Sequence, residues 1–234
     1  MRSPGVPRGG QGSRPDRVFV GWPRWTVDIR RVAVFRIVVL AFDSVDLIDV
    51  SGPLEVLLTA NRLTERRGEP PPFDVVTASP DGRPVTAYGG LGLTPQAALD
   101  ELDAVDVLVV PGAIDIDGLV ANATLAEIAR DRAARGSVIM SICTGAFVLG
   151  AAGLLDGRPF TTHVEDIADL ERRIAAATPD TTARWVDDGA IITAGGMTSG
   201  IAATLHLVER LAGRELAHAT ARQMDYAWTS ARAS

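Results

Sequence analysis

The sequence predicts an α/β fold, a doubly wound and mostly parallel sheet covered by helices. Two observations carry this. Near-continuous apolar runs, as at 107–110 and 138–142, read as strands buried on both faces of a parallel sheet. Those runs alternate with stretches of helical spacing, the pattern of βαβ units. With 234 residues, 47% of them hydrophobic, the chain can also bury a core without disulfides or metals.

The elements follow in order. Residues 34–42 form an apolar run broken only by Arg36, the first strand. Ser51-Gly52-Pro53 starts a helix, with proline near the first helical position. Leu54, Leu57 and Leu58 continue it until Gly68 and the prolines at 70–72. Residues 73–78 and 106–110 are the second and third strands, the latter closed by Pro111-Gly112. An amphipathic helix at 124–135 precedes a fourth strand at 138–142, with a helix at 145–155 behind it. Residues 184–186 and 190–193 form a hairpin around Asp187-Asp188-Gly189. Helices at 199–211 and 215–228 finish a single domain spanning 32–230. Residues 1–31, rich in Gly, Pro and Arg, are expected to be a disordered extension.

Charge narrows the function. All 23 basic residues are arginine, which excludes Schiff-base lysine chemistry and lysine-dependent phosphate loops. Beyond residue 31 there are 16 basic and 27 acidic residues, a poor match for nucleic-acid phosphates. No apolar run approaches the ~20 residues that span a bilayer, so no membrane partner is expected. The single cysteine excludes an intrachain disulfide and a cysteine-cluster metal site. The histidines at 163, 206 and 218 show no zinc spacing. Neither metal nor cofactor is expected, and a reducing, cytoplasmic setting fits.

In doubly wound sheets, ligands bind beyond the carboxyl ends of the strands. Three such ends stand out. The first strand leads to Asp43, Asp46 and Asp49; the third ends in Pro111-Gly112-Ala113; the fourth ends in Ser141-Ile142-Cys143-Thr144-Gly145. Cys143 sits on a sharp strand-to-helix turn, where helix-start amides favour a thiolate and lower its pKa. A buried core cysteine accounts for the turn equally well. The Gly112-Ala113 loop breaks the tie, because backbone amides of Ala113 and Thr144 aimed at one point make an oxyanion hole. Gly112 allows that close approach. Asp49 either caps the following helix or moves a proton beside Cys143. Glu55, on the first helical turn, reads as structural. His163 is either a base toward Cys143 or a local hydrogen-bonding group, and His206 reads as packing.

Together the segments 48–56, 109–112, 141–146, 152–158, 161–163 and 195–201 resemble the DJ-1/PfpI superfamily, a class I glutamine-amidotransferase-like fold. Within it the chain is similar to the branch of isonitrile hydratases and the N-terminal domains of AraC-type regulators, which carries aspartate at the site of Asp49 and threonine after the cysteine. The resemblance implies a flavodoxin-like sandwich, usually a homodimer, with Cys143 and Asp49 facing each other. Ser141 stands where many members have glycine, and Val164 where this branch usually has tryptophan. Thr144 in place of histidine argues against proteolysis. His163-Val164-Glu165 falls too early to be a glutaminase pair.

The resemblance implies three functions. The first is a hydratase of small isonitriles, with Cys143 as nucleophile, Asp49 as acid and base, and Thr144 and His163 beside them. The second is a ligand-sensing regulatory module; Ser234 follows Trp228 too soon for a helix-turn-helix pair, so direct nucleic-acid binding is not expected. The third is a redox or carbonyl-stress protein using the same thiol.

Overall fold

The structure is a computed structural model that describes residues 34–229 except 175 and 177. The expected extension at 1–31 lies outside the described residues. In chain order the elements are β1 (Phe35–Leu40), α1 (Leu47–Glu65), β2 (Phe73–Ser79), β3 (Val85–Thr86), β4 (Gly92–Leu93), β5 (Ala97–Ala98) and β6 (Val107–Val110). There follow α2 (Ile116–Ala121), α3 (Ala123–Ala134), β7 (Val138–Ile142), α4 (Gly145–Ala151), β8 (Pro159–Phe160), α5 (Ile167–Arg173) and β9 (Thr178–Pro179). The chain continues through β10 (Trp185–Asp187), β11 (Ile191–Ala194), α6 (Ser199–Ala212) and α7 (Arg214–Gln223).

Seven strands make one sheet in the order β10-β11-β7-β6-β1-β2-β5. Every pairing in it is parallel except the edge pair β10–β11. The apolar runs occupy its centre: Ile37 to Leu40 of β1 and all of β6 are buried. That is the position a strand must take when it has no polar face to give to water. Helix α1 packs with α6 and α7, while α4 packs with α2, α3 and α5. The expected mostly parallel, helix-covered sheet is therefore present.

Several boundaries differ from the sequence reading. Helix α1 begins at Leu47, four residues before Ser51, so Asp49 lies inside its first turn and Pro53 inside the helix. Pro53 has no N–H to return to the Asp49 carbonyl one turn earlier. Helix α4 stops at Ala151, because Gly153 takes a left-handed φ of 72° and turns the chain away. Helix α7 ends at Gln223, short of Trp228. The short pairs β3–β4 and β8–β9, the edge strand β5, and helices α2 and α5 carry too few periodic residues to stand out in the sequence.

Candidate active site

The sheet brings the carboxyl ends of β1, β6 and β7 side by side, since β6 pairs with both of the others. Each delivers one piece of the site. After β1, the start of α1 carries Asp49, which is fully buried. After β6 comes Gly112. After β7 comes Cys143, only 6% exposed.

Cys143 has a φ of 53°, a left-handed conformation uncommon outside glycine. Such a residue persists only where its surroundings hold it. Its N–H donates to the Ala194 and Gly195 carbonyls at 3.1 and 3.2 Å. Its carbonyl accepts the Thr162 hydroxyl at 2.7 Å. Bonds on both sides thus fix the strand-to-helix turn that the sequence predicts.

Gly112 is the junction of the three segments. A Cβ there would lie 2.8 Å from Thr144 N and 3.1 Å from Asp49 Oδ2, and would collide with Thr144 Oγ1. Only glycine lets these groups meet. The Gly112 N–H donates to Asp49 Oδ2 at 3.1 Å. Thr144 Oγ1 donates to the Ala113 carbonyl at 2.7 Å and accepts the Ala113 N–H at 2.9 Å.

These bonds revise the expected oxyanion hole. The amides of Gly112 and Ala113 are both engaged, one by Asp49 and one by Thr144, so this loop braces the site and leaves neither donor open. The amides that face the sulfur are those of Thr144 and Met197. Met197, at a φ of 51°, lies in the 195–201 segment that carries the resemblance, but the sequence assigns it no role at the thiol. The Gly195-Gly196-Met197 segment was its signal, because two glycines before a helix mark a place where backbone approaches closely.

Burial dominates the electrostatics. It raises the Asp49 carboxyl from 3.8 to about 7, against the Gly112 hydrogen bond, with the nearby charge of Asp46 adding to the rise. Asp49 Oδ1 is buried without a hydrogen-bond partner, which penalises the carboxylate further. Burial also pushes the Cys143 thiol up to about 12, helped by the Asp49 charge and opposed by the Thr144 and Met197 amides. The expected depressed thiol pKa is therefore corrected: seven residues of α4 do not offset burial beside an acid. The resting site holds a neutral thiol next to a carboxyl that exchanges its proton near neutral pH.

The other residues singled out from the sequence fall in different places. His163 follows Thr162, but its Nδ1 faces Asp166 Oδ2 at 3.3 Å and its ring lies against Gly196. That geometry fits the local hydrogen-bonding role better than a base on the sulfur. Glu55 accepts the Thr59 hydroxyl at 3.1 Å within its own helix. His206 does more than pack: its Nε2 lies 2.7 Å from Asp187 Oδ2.

Residues 35–210 match the DJ-1/PfpI family model. The chain is 34% identical to the isonitrile hydratase of Pseudomonas putida over 188 residues, covering 80% of this chain and 77% of that protein. It is 32% identical to the HTH-type transcriptional regulator GbdR of Pseudomonas aeruginosa, covering 80% of this chain but only 49% of the regulator. Among solved structures it resembles an AraC family transcriptional regulator from Pseudomonas putida, at a TM-score of 0.70 and 27% identity, over 81% of this chain and 99% of that one.

Proposed function

The chain belongs to the DJ-1/PfpI family, and on that premise we propose that it hydrates small isonitriles to N-substituted formamides, with Cys143 as nucleophile and Asp49 as acid and base. One observation carries the reading: a buried carboxyl with an unpartnered oxygen and a pKa of about 7 sits beside a buried thiol. Such a carboxyl can take a proton and return it at neutral pH.

The steps balance. Asp49 takes the Cys143 proton as sulfur adds to the terminal isonitrile carbon, then gives that proton to the same carbon, forming a thioimidate. Water adds to this carbon as Asp49 takes one of its protons and passes it to the substrate nitrogen, and the remaining hydroxyl proton goes to sulfur in the next step. Collapse of the tetrahedral adduct expels the thiol and releases the formamide. The neutral thiol is no obstacle, because its proton is removed only as the new bond forms. The amides of Thr144 and Met197 would support the sulfur while it carries negative charge.

A second reading, a ligand-sensing module, draws support from the likeness to GbdR and from the high resting pKa of the thiol. The same burial counts against a redox role, since oxidation follows thiolate character. The test is formamide release from a panel of alkyl isonitriles. Turnover by the parent and none by Cys143→Ser is expected. Saturable binding without any product would overturn the hydratase in favour of the sensor.

A further inference from the structure

A cavity of about 290 Å³ adjoins the thiol site and shares Thr162 and Met197 with it, while most of its lining has no part in the proposed chemistry. Its walls come from the loops after β8 and β11 and the turn before β10. The walls touch the thiol site at two points. Thr162 gives its hydroxyl to the Cys143 carbonyl, and the Met197 amide faces the Cys143 sulfur.

The chemistry of this cavity is opposite to that of the protein around it. The chain beyond residue 31 is strongly acidic, and Asp46 and Asp49 lie at the thiol. Yet no Asp or Glu occurs among the cavity's described lining residues. They include Arg184, His163, Thr181 and Ser199. Arg184 is held in place: its Nη2 donates to Tyr226 Oη at 2.5 Å, and its guanidinium lies 5.7 Å from the centre of that ring. A guanidinium fixed before a ligand arrives loses little rotamer freedom on binding, and its planar fork suits a carboxylate. The nearby acids are turned to other work. Asp166 faces His163 Nδ1, and Asp180 accepts from the Thr182 and Ala183 amides.

We infer that this cavity binds a small carboxylate, with Arg184 as its charged partner and Ser199 as a supporting donor, and that occupancy is felt at Cys143 through Thr162 and Met197. The volume, at the low end of ligand pockets, is ample for a small organic acid. The inference does not depend on isonitrile chemistry.

Calorimetric titration of the full chain with propionate, and with neutral propionamide of the same shape, tests it. Propionate should bind at least about tenfold more tightly than propionamide, and Arg184→Gln should remove that preference. Equal binding of the two probes, or full retention of the preference in Arg184→Gln, overturns the inference. If Arg184→Gln does not fold, Ser199→Ala takes its place, with a weakening of a few-fold expected and no change overturning the idea. Alkylation of Cys143 separates two sources of the carboxylate. A free carboxylate is indicated if propionate changes the iodoacetamide rate. A carboxylate carried by the thiol's own reactant is indicated if iodoacetate reacts faster than iodoacetamide in the parent and loses that advantage in Arg184→Gln. Neither effect would sink the coupling to Cys143.

Discussion

Asp49 and Asp187 are both acids set against the sheet, and their surroundings drive them in opposite directions. Burial pushes the Asp187 carboxyl up, but the His206 hydrogen bond, the Gly189 amide and Arg210 together outweigh it and hold Asp187 below the ordinary carboxylate range. His206 Nε2 lies at 2.7 Å, the Gly189 N–H at 2.9 Å and Arg210 Nη1 at 3.3 Å. Asp49 has one amide donor, an orphaned oxygen and another acid nearby. Asp187 ties the β10–β11 turn to α6; Asp49 is held in a state that favours giving up its charge. Burial alone therefore does not keep a carboxyl's pKa raised. Burial without a compensating cation does.

The sharpest way to break this contrast is Asp49→Asn. Asparagine keeps the shape and can still accept the Gly112 N–H, but it cannot titrate. Turnover on any isonitrile that the parent accepts should fall by roughly 10²–10⁴-fold. Parent-like turnover would reduce Asp49 to a structural group.

The same variant sharpens the contrast in stability. A folded pKa raised from 3.8 to about 7 means that the native state binds the proton more tightly than the unfolded chain does. Stability is then fully present below about pH 4 and declines as pH rises toward 7, by roughly 4 kcal/mol at about 1.4 kcal/mol per decade. Denaturant midpoints across pH 4–8 should show this decline in the parent and lose it in Asp49→Asn, which becomes the more stable of the two at pH 8. A parent profile that is flat over that range contradicts the raised pKa.

Asp187→Asn should behave in the opposite sense and more weakly. The lowered Asp187 pKa contributes stability above the unfolded value, and that contribution is lost as pH falls through the folded value. Replacing the carboxylate beside His206 and Arg210 should cost roughly 1–3 kcal/mol at pH 7 and nothing measurable at the acid end. A loss that is as large at pH 3 as at pH 7 would assign Asp187 a packing role.

The strands and the turn that carries Cys143 were legible in the sequence because each rests on local or periodic signals: apolar runs for β1, β6 and β7, and a cysteine where one such run meets a helix. The convergence on Gly112 was half legible. The glycine announced close approach, but not that the Gly112 and Ala113 amides would already be taken by Asp49 and Thr144. The Asp187–His206 pair was not legible, since residues 19 apart on a strand and a helix meet only when α6 folds back over the sheet edge.

By itself, then, the sequence determined the fold class, the family resemblance, and which acid and which thiol share one end of the sheet. Tertiary structure alone decided their protonation. A pKa depends on how much water is removed from a group and on which charges and amides replace it, and those neighbours come from segments tens of residues apart. The chain could name Asp49 and Cys143, but only their burial together raises both groups, against the helix-start amides that the sequence suggested would win.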